Sequence, residues 1–267
     1  MKKALLVLMS IMLVAGLMVG CGGDNDAQNR DSAAEAYALY LAMNEAVEGI
    51  TSMTARADMQ ISIEIADETM DMRMVMDLQS IYHSETEIEM AMYMNMDMGE
   101  IGGQMDMAMY FRDGWFYMDA MGMQIKSPMP LEELANYMDT DLFSALEFTQ
   151  DAILNASVEE IGNNKRLNLT LRGDALQEVM DAMMSDMLEP LFAGMEMNMT
   201  YSDMEVSILL DANNLPIEQR MIFSLGIDIE GEAGMISYDI NMTNISYDTL
   251  TAIEFPANLS DFMEVQL

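Results

Sequence analysis

Between Met70 and Phe111, methionine recurs at every second position in three separate stretches. Met70, Met72, Met74 and Met76 alternate with Asp71, Arg73, Val75 and Asp77. Ile88, Met90, Met92, Met94, Met96 and Met98 then alternate with Glu89, Ala91, Tyr93, Asn95 and Asp97. Met105, Met107, Met109 and Phe111 continue the pattern. Side chains of a β-strand point alternately to opposite faces, so this period builds strands with one apolar face and one wet face. A helix with the same sequence would scatter its methionines and carboxylates around its whole surface. Such a sheet must curl round its apolar face or have that face covered. Three neighbouring segments thus place twelve methionines on one side of a sheet.

The rest of the chain supplies cover and further strands. Asp31 to Ile50 carries Ala36, Tyr40, Met43, Val47 and Ile50 at spacings of three and four, an amphipathic helix. Asp113-Gly114 is a hairpin turn between Phe111 and Trp115. Pro130 suits the start of a helix over Leu131 to Met138, and Asp139 caps a second over Leu142 to Leu154. Val158 to Ile161 and Leu167 to Leu171 form a hairpin around Gly162-Asn163-Asn164. Asp174 and Gln177 fit a capping box, opening a helix with Leu176, Met180, Met183 and Met187 on one face. Strands return at Met204 to Leu210, Met221 to Ile229 and Ile236 to Met242, and Ile253 to Pro256 ends the sheet. The expectation is an α+β fold: a half-open, curved antiparallel sheet of about 10–11 strands. Its N-terminal helix and inserted helices cover the concave face.

The N-terminus is an address. Lys2 and Lys3 precede an apolar run from Ala4, and Met18-Val19-Gly20-Cys21 follows. Residues 1–20 read as a signal peptide, 21–31 as a cysteine and polar tether (GGDNDAQNRD), and 32–267 as one domain. No second apolar run is long enough to span a bilayer, which places the domain outside the membrane.

Charge and residue counts narrow the chemistry. The formal net charge is −35, with 11 Lys plus Arg against 46 Asp plus Glu. A nucleic-acid partner needs a basic face that this chain cannot build. One histidine, His83, and one cysteine, Cys21, exclude His/Cys zinc sites, disulfide frameworks and Cys–His catalysis. His83, at a strand end, reads as a surface or turn residue. There is no G-x-S-x-G, P-loop or G-x-G-x-x-G, so no enzyme and no cofactor is expected. Asp67-Glu68 and Asp211 to Asn214 lack the full spacing of a calcium loop. Six N-x-S/T sequons, such as those at Asn168 and Asn241, read as chance in a strand-rich protein that is rich in Asn and Thr.

Past residue 20 there remain 32 of the 36 methionines. Three uses compete for them: ordinary core filler, a soft-metal or oxidation buffer, or an adaptable apolar cavity. Thioethers select Cu(I), but copper sites cluster Met with His or Cys rather than spacing it along a strand. Methionine is unbranched, flexible and polarizable, which suits a surface that repacks around varied ligands.

The lipobox-like MVGC, the helix ending at Ile50, the strands from Thr54, YFRDGWFYMDAMGMQIK and LLDANNLPIEQ…ISYDINMTNISYDTLTAIEFP together carry a resemblance. In order and pattern the chain resembles the LolA/LolB-like lipoprotein carriers and the related LppX/LprG lipoproteins, closest to Gram-positive members of that superfamily. The resemblance implies lipid on Cys21, cleavage before it, and a half-open barrel holding acyl chains against its helices. The expected function is therefore a lipid-anchored, extracytoplasmic membrane protein that binds or shuttles a lipid or other amphiphile. Its cavity would be lined by Met72, Met74, Met76, Met90, Met92, Met94, Met96, Met105, Met107, Met109, Met180 and Met183. The alternative is an envelope scaffold with a filled core and an unknown protein partner.

Overall fold

A computed structural model describes residues 26–65, 68–84, 87–99, 103–130, 150–175, 197–229 and 232–265. Helix α1 (Asp26–Val47) leads into β1 (Ser52–Ile65), β2 (Glu68–Ser84), β3 (Glu87–Asp97), β4 (Gln104–Arg112), β5 (Trp115–Ala120) and β6 (Met123–Pro128). After a 3-10 turn (Gln150–Ala152) come β7 (Ile153–Ile161), β8 (Asn164–Leu171), β9 (Met197–Tyr201), β10 (Met204–Leu210), β11 (Pro216–Ile229) and β12 (Glu232–Tyr247). A second 3-10 turn (Leu259–Asp261) precedes the two-residue β13 (Met263–Glu264). The strands form one curved, unclosed sheet in the order β13-β6-β5-β4-β3-β2-β1-β12-β11-β10-β8-β7, with β9 beside the far half of β11. All pairs are antiparallel except β13 with β6. Among the described residues the count of 13 exceeds the expected ten or eleven, the short β9 and β13 being the additions.

Helix α1 buries Ala33, Ala36, Tyr40, Met43 and Val47, a strict three-four spacing, with Leu39 beside them. It packs chiefly on β7 and β8. Ala33 and Ala36 share one core cluster with Ala152, Leu167, Leu169, Leu171, Val206 and Ile208. Burying each large side chain stabilises the fold by roughly 1.5–3 kcal/mol. The helix starts at Asp26, earlier than expected, and ends at Val47 rather than Ile50. The chain turns at Glu48 and Gly49, and Ile50 N–H donates to the Val47 carbonyl.

Two expected boundaries are corrected. Residues Ile153 and Leu154 belong to β7, not to a helix, because Ile153 pairs with Leu171 and is buried against it. Ile253 to Pro256 is not a strand. From Asp248 the chain instead crosses the outer face as a strap. Ile253 is buried there with Ile81, Ala91 and Tyr110, and Leu250, Phe255 and Leu259 pack around them. The strap therefore keeps dry a stretch of the face expected to be wet. Ala91 and Tyr110 are buried, and Tyr110 meets Phe255 edge-on at 6.1 Å. Arg112 lies 5.1 Å over the Phe255 ring, and Phe262 meets Tyr117 edge-on at 5.8 Å.

The segments 131–149 and 176–196, on which the inserted helices were expected, lie outside the described residues apart from a helical turn at 173–175. At the mouth of the second, Gly173 crosses the break between β9 and β10, and its N–H donates to the Asp203 carboxylate at 2.9 Å. A Cβ there would overlap the Tyr201 carbonyl and lie 2.7 Å from the Ser202 carbonyl carbon. Backbone cannot yield as a flexible side chain can, so Gly173→Ala should cost about 1–3 kcal/mol and lower the thermal midpoint measured by circular dichroism.

Asp248 fastens β12 to the start of β1. It adopts a left-handed φ of 54°, and its carboxylate accepts from Thr51 N–H, Thr51 Oγ1 and Ser52 N–H at 2.8–3.1 Å. Burial raises its pKa, but the hydrogen bonds from Thr51 and Ser52 outweigh this and hold it below the ordinary carboxylate value. The clamp thus stabilises the fold above the unfolded-state pKa, near 4, and that contribution fades as pH falls through the lower folded-state value. Asp248→Asn should cost about 1 kcal/mol at pH 7, and that cost should shrink progressively as the pH is lowered below about 4 in chemical denaturation.

Candidate ligand-binding face

The ladder register carries each methionine to its neighbours. One row runs Met123, Ala120, Met107, Met94, Met76, Ala57 and Met242 across β6, β5, β4, β3, β2, β1 and β12. It continues through Gln219, Ile208 and Leu167 on β11, β10 and β8. The next row joins Met105, Met96, Met74, Met59, Ile240 and Met221. A third joins Met118, Met109, Met92 and Leu78. Met72 pairs with Ile61 in the row that ends at Tyr238 and Phe223, whose rings stack at 4.7 Å. These rows share the inner face, the side on which α1 packs.

Every methionine expected on this face from β2, β3 and β4 is there. Met90 is buried, and Met72, Met74, Met76, Met92, Met94, Met96, Met105, Met107 and Met109 are half-buried. The inner face is therefore uneven. Under α1, Leu167, Leu171, Ile208 and Leu210 are fully buried, whereas the methionine side keeps part of its surface accessible. Met180, Met183 and Cys21 lie outside the described residues.

Residues that were not singled out also belong to the face: Ala57 and Met59 on β1, Met118 on β5, Phe223 on β11, and Tyr238 and Met242 on β12. Their alternation was visible, but which strands neighbour one another was not. A bulge keeps β12 in phase. Asn244, at φ 52°, sits where the β1 register shifts between Thr54 and Arg56, so Met242 and Ile245 are both buried in the core. Gln219, Ser80 and Ser127 are buried polar exceptions on this face, and the Gln219 Oε1 has no partner among the described residues.

The face is electrically quiet. Burial raises the pKa of Tyr238 and Tyr247, so both phenols stay neutral in the physiological range. Arginines and acids occupy the outer face. Arg56 forks onto Asp77 at 2.9–3.0 Å, Arg220 onto Asp239 at 2.7–2.9 Å, and Arg73 pairs with Asp58. The hydrogen bond from Arg73 is the main reason the Asp58 pKa is lowered. Exposed pairs of this kind are worth about 0–1 kcal/mol each. A groove of about 780 Å³, open to solvent, mixes Arg56, Asp77, Asn95, Asp106 and Asp119 with Val75, Met94, Met105, Met107 and Met121.

His83 is exposed and lies 3.4 Å from Glu89, which also meets Arg112 at 3.2 Å. Asp211 closes an Asx-turn, accepting from the N–H groups of Asn213 and Leu215. Among the described residues no three His, Cys, Asp or Glu side chains gather as a metal site, and no helix is long and apolar enough to cross a membrane.

A curved open barrel with one apolar inner face and a helix across part of it defines the class of protein. The chain belongs to a family described as of unknown function, DUF6612, whose model matches residues 35–262. No curated protein matches it. Among solved structures, it is similar to LprF from Mycobacterium bovis at 12% identity and TM-score 0.42, covering 84% of this chain and 98% of that one. A DUF1329 family protein from Desulfovibrio piger is 10% identical, TM-score 0.27, covering 83% and 95%. A putative outer membrane lipoprotein-sorting protein domain from Vibrio parahaemolyticus is 11% identical, TM-score 0.24, covering 86% and 97%. These are likenesses of outline and carry no argument about what this chain binds.

Exposure along the face sets an order of chemical reactivity. Under mild peroxide, Met121, Met123 and Met263 should oxidise first and Met94 and Met107 next, while Met43, Met221 and Met242 should be protected. Peptide mass spectrometry over a time course checks the order. Equal rates at Met107 and Met242 would contradict the uneven burial.

Proposed function

We propose that this protein is a lipid-anchored, extracytoplasmic carrier that holds a lipid or another amphiphile against its methionine face. One observation supports this most: beyond the buried end at Leu78, Met90 and Phe111, the methionine rows of β2 to β4 are continuous in register yet only half-buried. A finished core would bury it, as the same face is buried under α1. A face left partly accessible and lined by thioethers can accept acyl chains, each buried CH₂ contributing about 0.8 kcal/mol. Methionine suits the task because it can repack around chains of different length and shape. The neutral lining matches an apolar tail and offers no acid, base or nucleophile to it, in keeping with a binding role rather than catalysis.

The anchor is the second part of the reading. Met18-Val19-Gly20-Cys21 closes a signal-like segment, and two acyl chains carried on the Cys21 thiol would give stable attachment. Cys21→Ala should release the protein from the membrane fraction or leave it unprocessed. An intact mass showing an unmodified Cys21 in a membrane-bound form would sink this part.

Inner and outer substitutions test the carrier. Met92→Asp and Met107→Asp strand a carboxylate on the apolar face and should abolish lipid co-purification and binding of a fluorescent fatty acid. Asp106→Ala and Gln60→Ala alter the outer face and should leave binding within about twofold, the range of ordinary surface changes. Glu89 makes a poor control because His83 and Arg112 both lean on it. Equal losses on the two faces in folded variants, or no lipid on the wild type, would favour the scaffold with a filled core.

A further inference from the structure

We propose that strands β2, β3 and β4 carry a soft-metal site, in which thioethers from two adjacent strands share one Cu(I) ion. Along a single strand, methionines at period two stand in file roughly 7 Å apart, and that arrangement alone gathers no ligand set. The ladder changes this. Met74 stands opposite Met96 and Met76 opposite Met94, while Met96 stands opposite Met105 and Met94 opposite Met107. Six thioethers thus form two adjoining sets of four on one face, with Met94 and Met96 belonging to both. In such a set the Cβ atoms of opposite residues lie about 4.5–5.5 Å apart and those on the diagonal about 7–8 Å. Its centre is therefore roughly 4 Å from all four Cβ atoms. A methionine carries its sulfur two bonds beyond Cβ on an unbranched, rotatable chain, so the sulfurs of one set can converge on an ion over that centre.

The donor type selects the ion. Thioethers are soft, neutral ligands that favour Cu(I), whereas Zn²⁺ takes thiolate, imidazole or carboxylate, and Ca²⁺ and Mg²⁺ take oxygen. Among the described residues no three His, Cys, Asp or Glu side chains gather to hold those harder ions. All six methionines are half-buried, which leaves the ion a way in and spares it complete desolvation. The net charge of −35 attracts cations to this domain and repels anions. Asp77, Asp97 and Asp106 stand on the reverse of the same three strands and add to that field.

Sulfur rather than bulk sets these positions apart. Branched and aromatic side chains suit a pleated surface best. On the same inner face β8 and β10 use Leu167, Leu169, Leu171, Val206, Ile208 and Leu210, all buried. At the six positions on β2, β3 and β4 the chain instead places an unbranched thioether and leaves it partly accessible. A departure from local preference without a gain in burial marks a functional contact. The site does not depend on the carrier reading, because leucine would keep the face apolar but offers no ligand to Cu(I).

Exchanging sulfur for carbon is the experiment. The wild-type chain, with Cys21 blocked by N-ethylmaleimide so that no thiol competes, is titrated without oxygen against a colorimetric Cu(I) chelator. The quadruple variant M94L/M96L/M105L/M107L is compared with M121L/M123L/M263L, which removes exposed thioethers elsewhere. Leucine conserves volume, and circular dichroism first checks that each variant is folded. Wild type and M121L/M123L/M263L should withdraw Cu(I) from the chelator equally, and the quadruple variant should bind it at least about tenfold more weakly, having lost soft ligands from both sets. In wild type with isotope-labelled methionine methyls, Ag(I), a soft ion that stays in one oxidation state, should shift Met94, Met96, Met105 and Met107 and leave Met121 and Met263 in place. These shifts decide the matter even if the quadruple variant does not fold. A wild type that takes no Cu(I) from the chelator overturns the inference. So do equal losses in the two variants, or shifts spread evenly over all methionines. Fluorescent fatty-acid binding to the same samples keeps the readings apart. Fatty acid bound without Cu(I) removes the metal site and leaves the carrier. Cu(I) bound without fatty acid keeps the metal site and removes the carrier.

Discussion

Cross-strand register is the constraint on which this structure depends. An antiparallel ladder fixes which residues stand opposite one another, and a slip of one residue would turn the methionines outward and bring Asp71, Arg73, Asp77, Asn95, Asp97 and Asp106 inward. Met76 opposite Met94, Met94 opposite Met107 and Met107 opposite Ala120 make one row, so any choice at one strand binds the others. The turns and bulges serve this register. Asp113-Gly114 and Met121-Gly122 set the hairpins, and Asn244 absorbs the extra residue of β12. Asp248 then holds the last long strand against the first, joining the two halves of the sheet through β1 and β12.

A sheet with one apolar face must still settle what covers each part of it. Under α1 the solution is a dense core of leucine, isoleucine, alanine and valine that also takes in Met43, Met204, Met221 and Met242. Across β2 to β4 the same face is lined by methionine, buried at Met90 and half-buried at Met72 to Met76, Met92 to Met96 and Met105 to Met109. Branched side chains fill a fixed shape, whereas unbranched thioethers tolerate a changing one. The outer face has its own division: charged pairs such as Arg56–Asp77 stay in water, while the strap from Asp248 to Phe262 covers the aromatic stretch around Tyr110.

The acid excess acts on the whole domain rather than on one site. A strongly negative chain stays soluble and avoids unspecific anionic partners. Against that background Met121, Met123 and Met263 are exposed apolar side chains among the described residues.

Much of this was legible in the sequence. Period two alone assigned Met72 to Met109 to three strands and one face, because side-chain direction in a strand is a local property of the backbone. The spacing of Ala36, Tyr40, Met43 and Val47 assigned the first helix in the same way. The count of one histidine and one cysteine excluded whole classes of chemistry. Strand neighbours were not legible: nothing local in Met59 or Met242 says that β1 pairs with β12 some 180 residues away in the chain. Nor does Ala91 announce that a strap from the C-terminal end will bury it, because Ile253 and Phe255 reach it only through the folded path of the backbone. The sequence by itself determined which residues share a face. Only tertiary structure decided which parts of that face are filled, which remain accessible and where its edge lies, because burial depends on contacts between segments far apart in the chain.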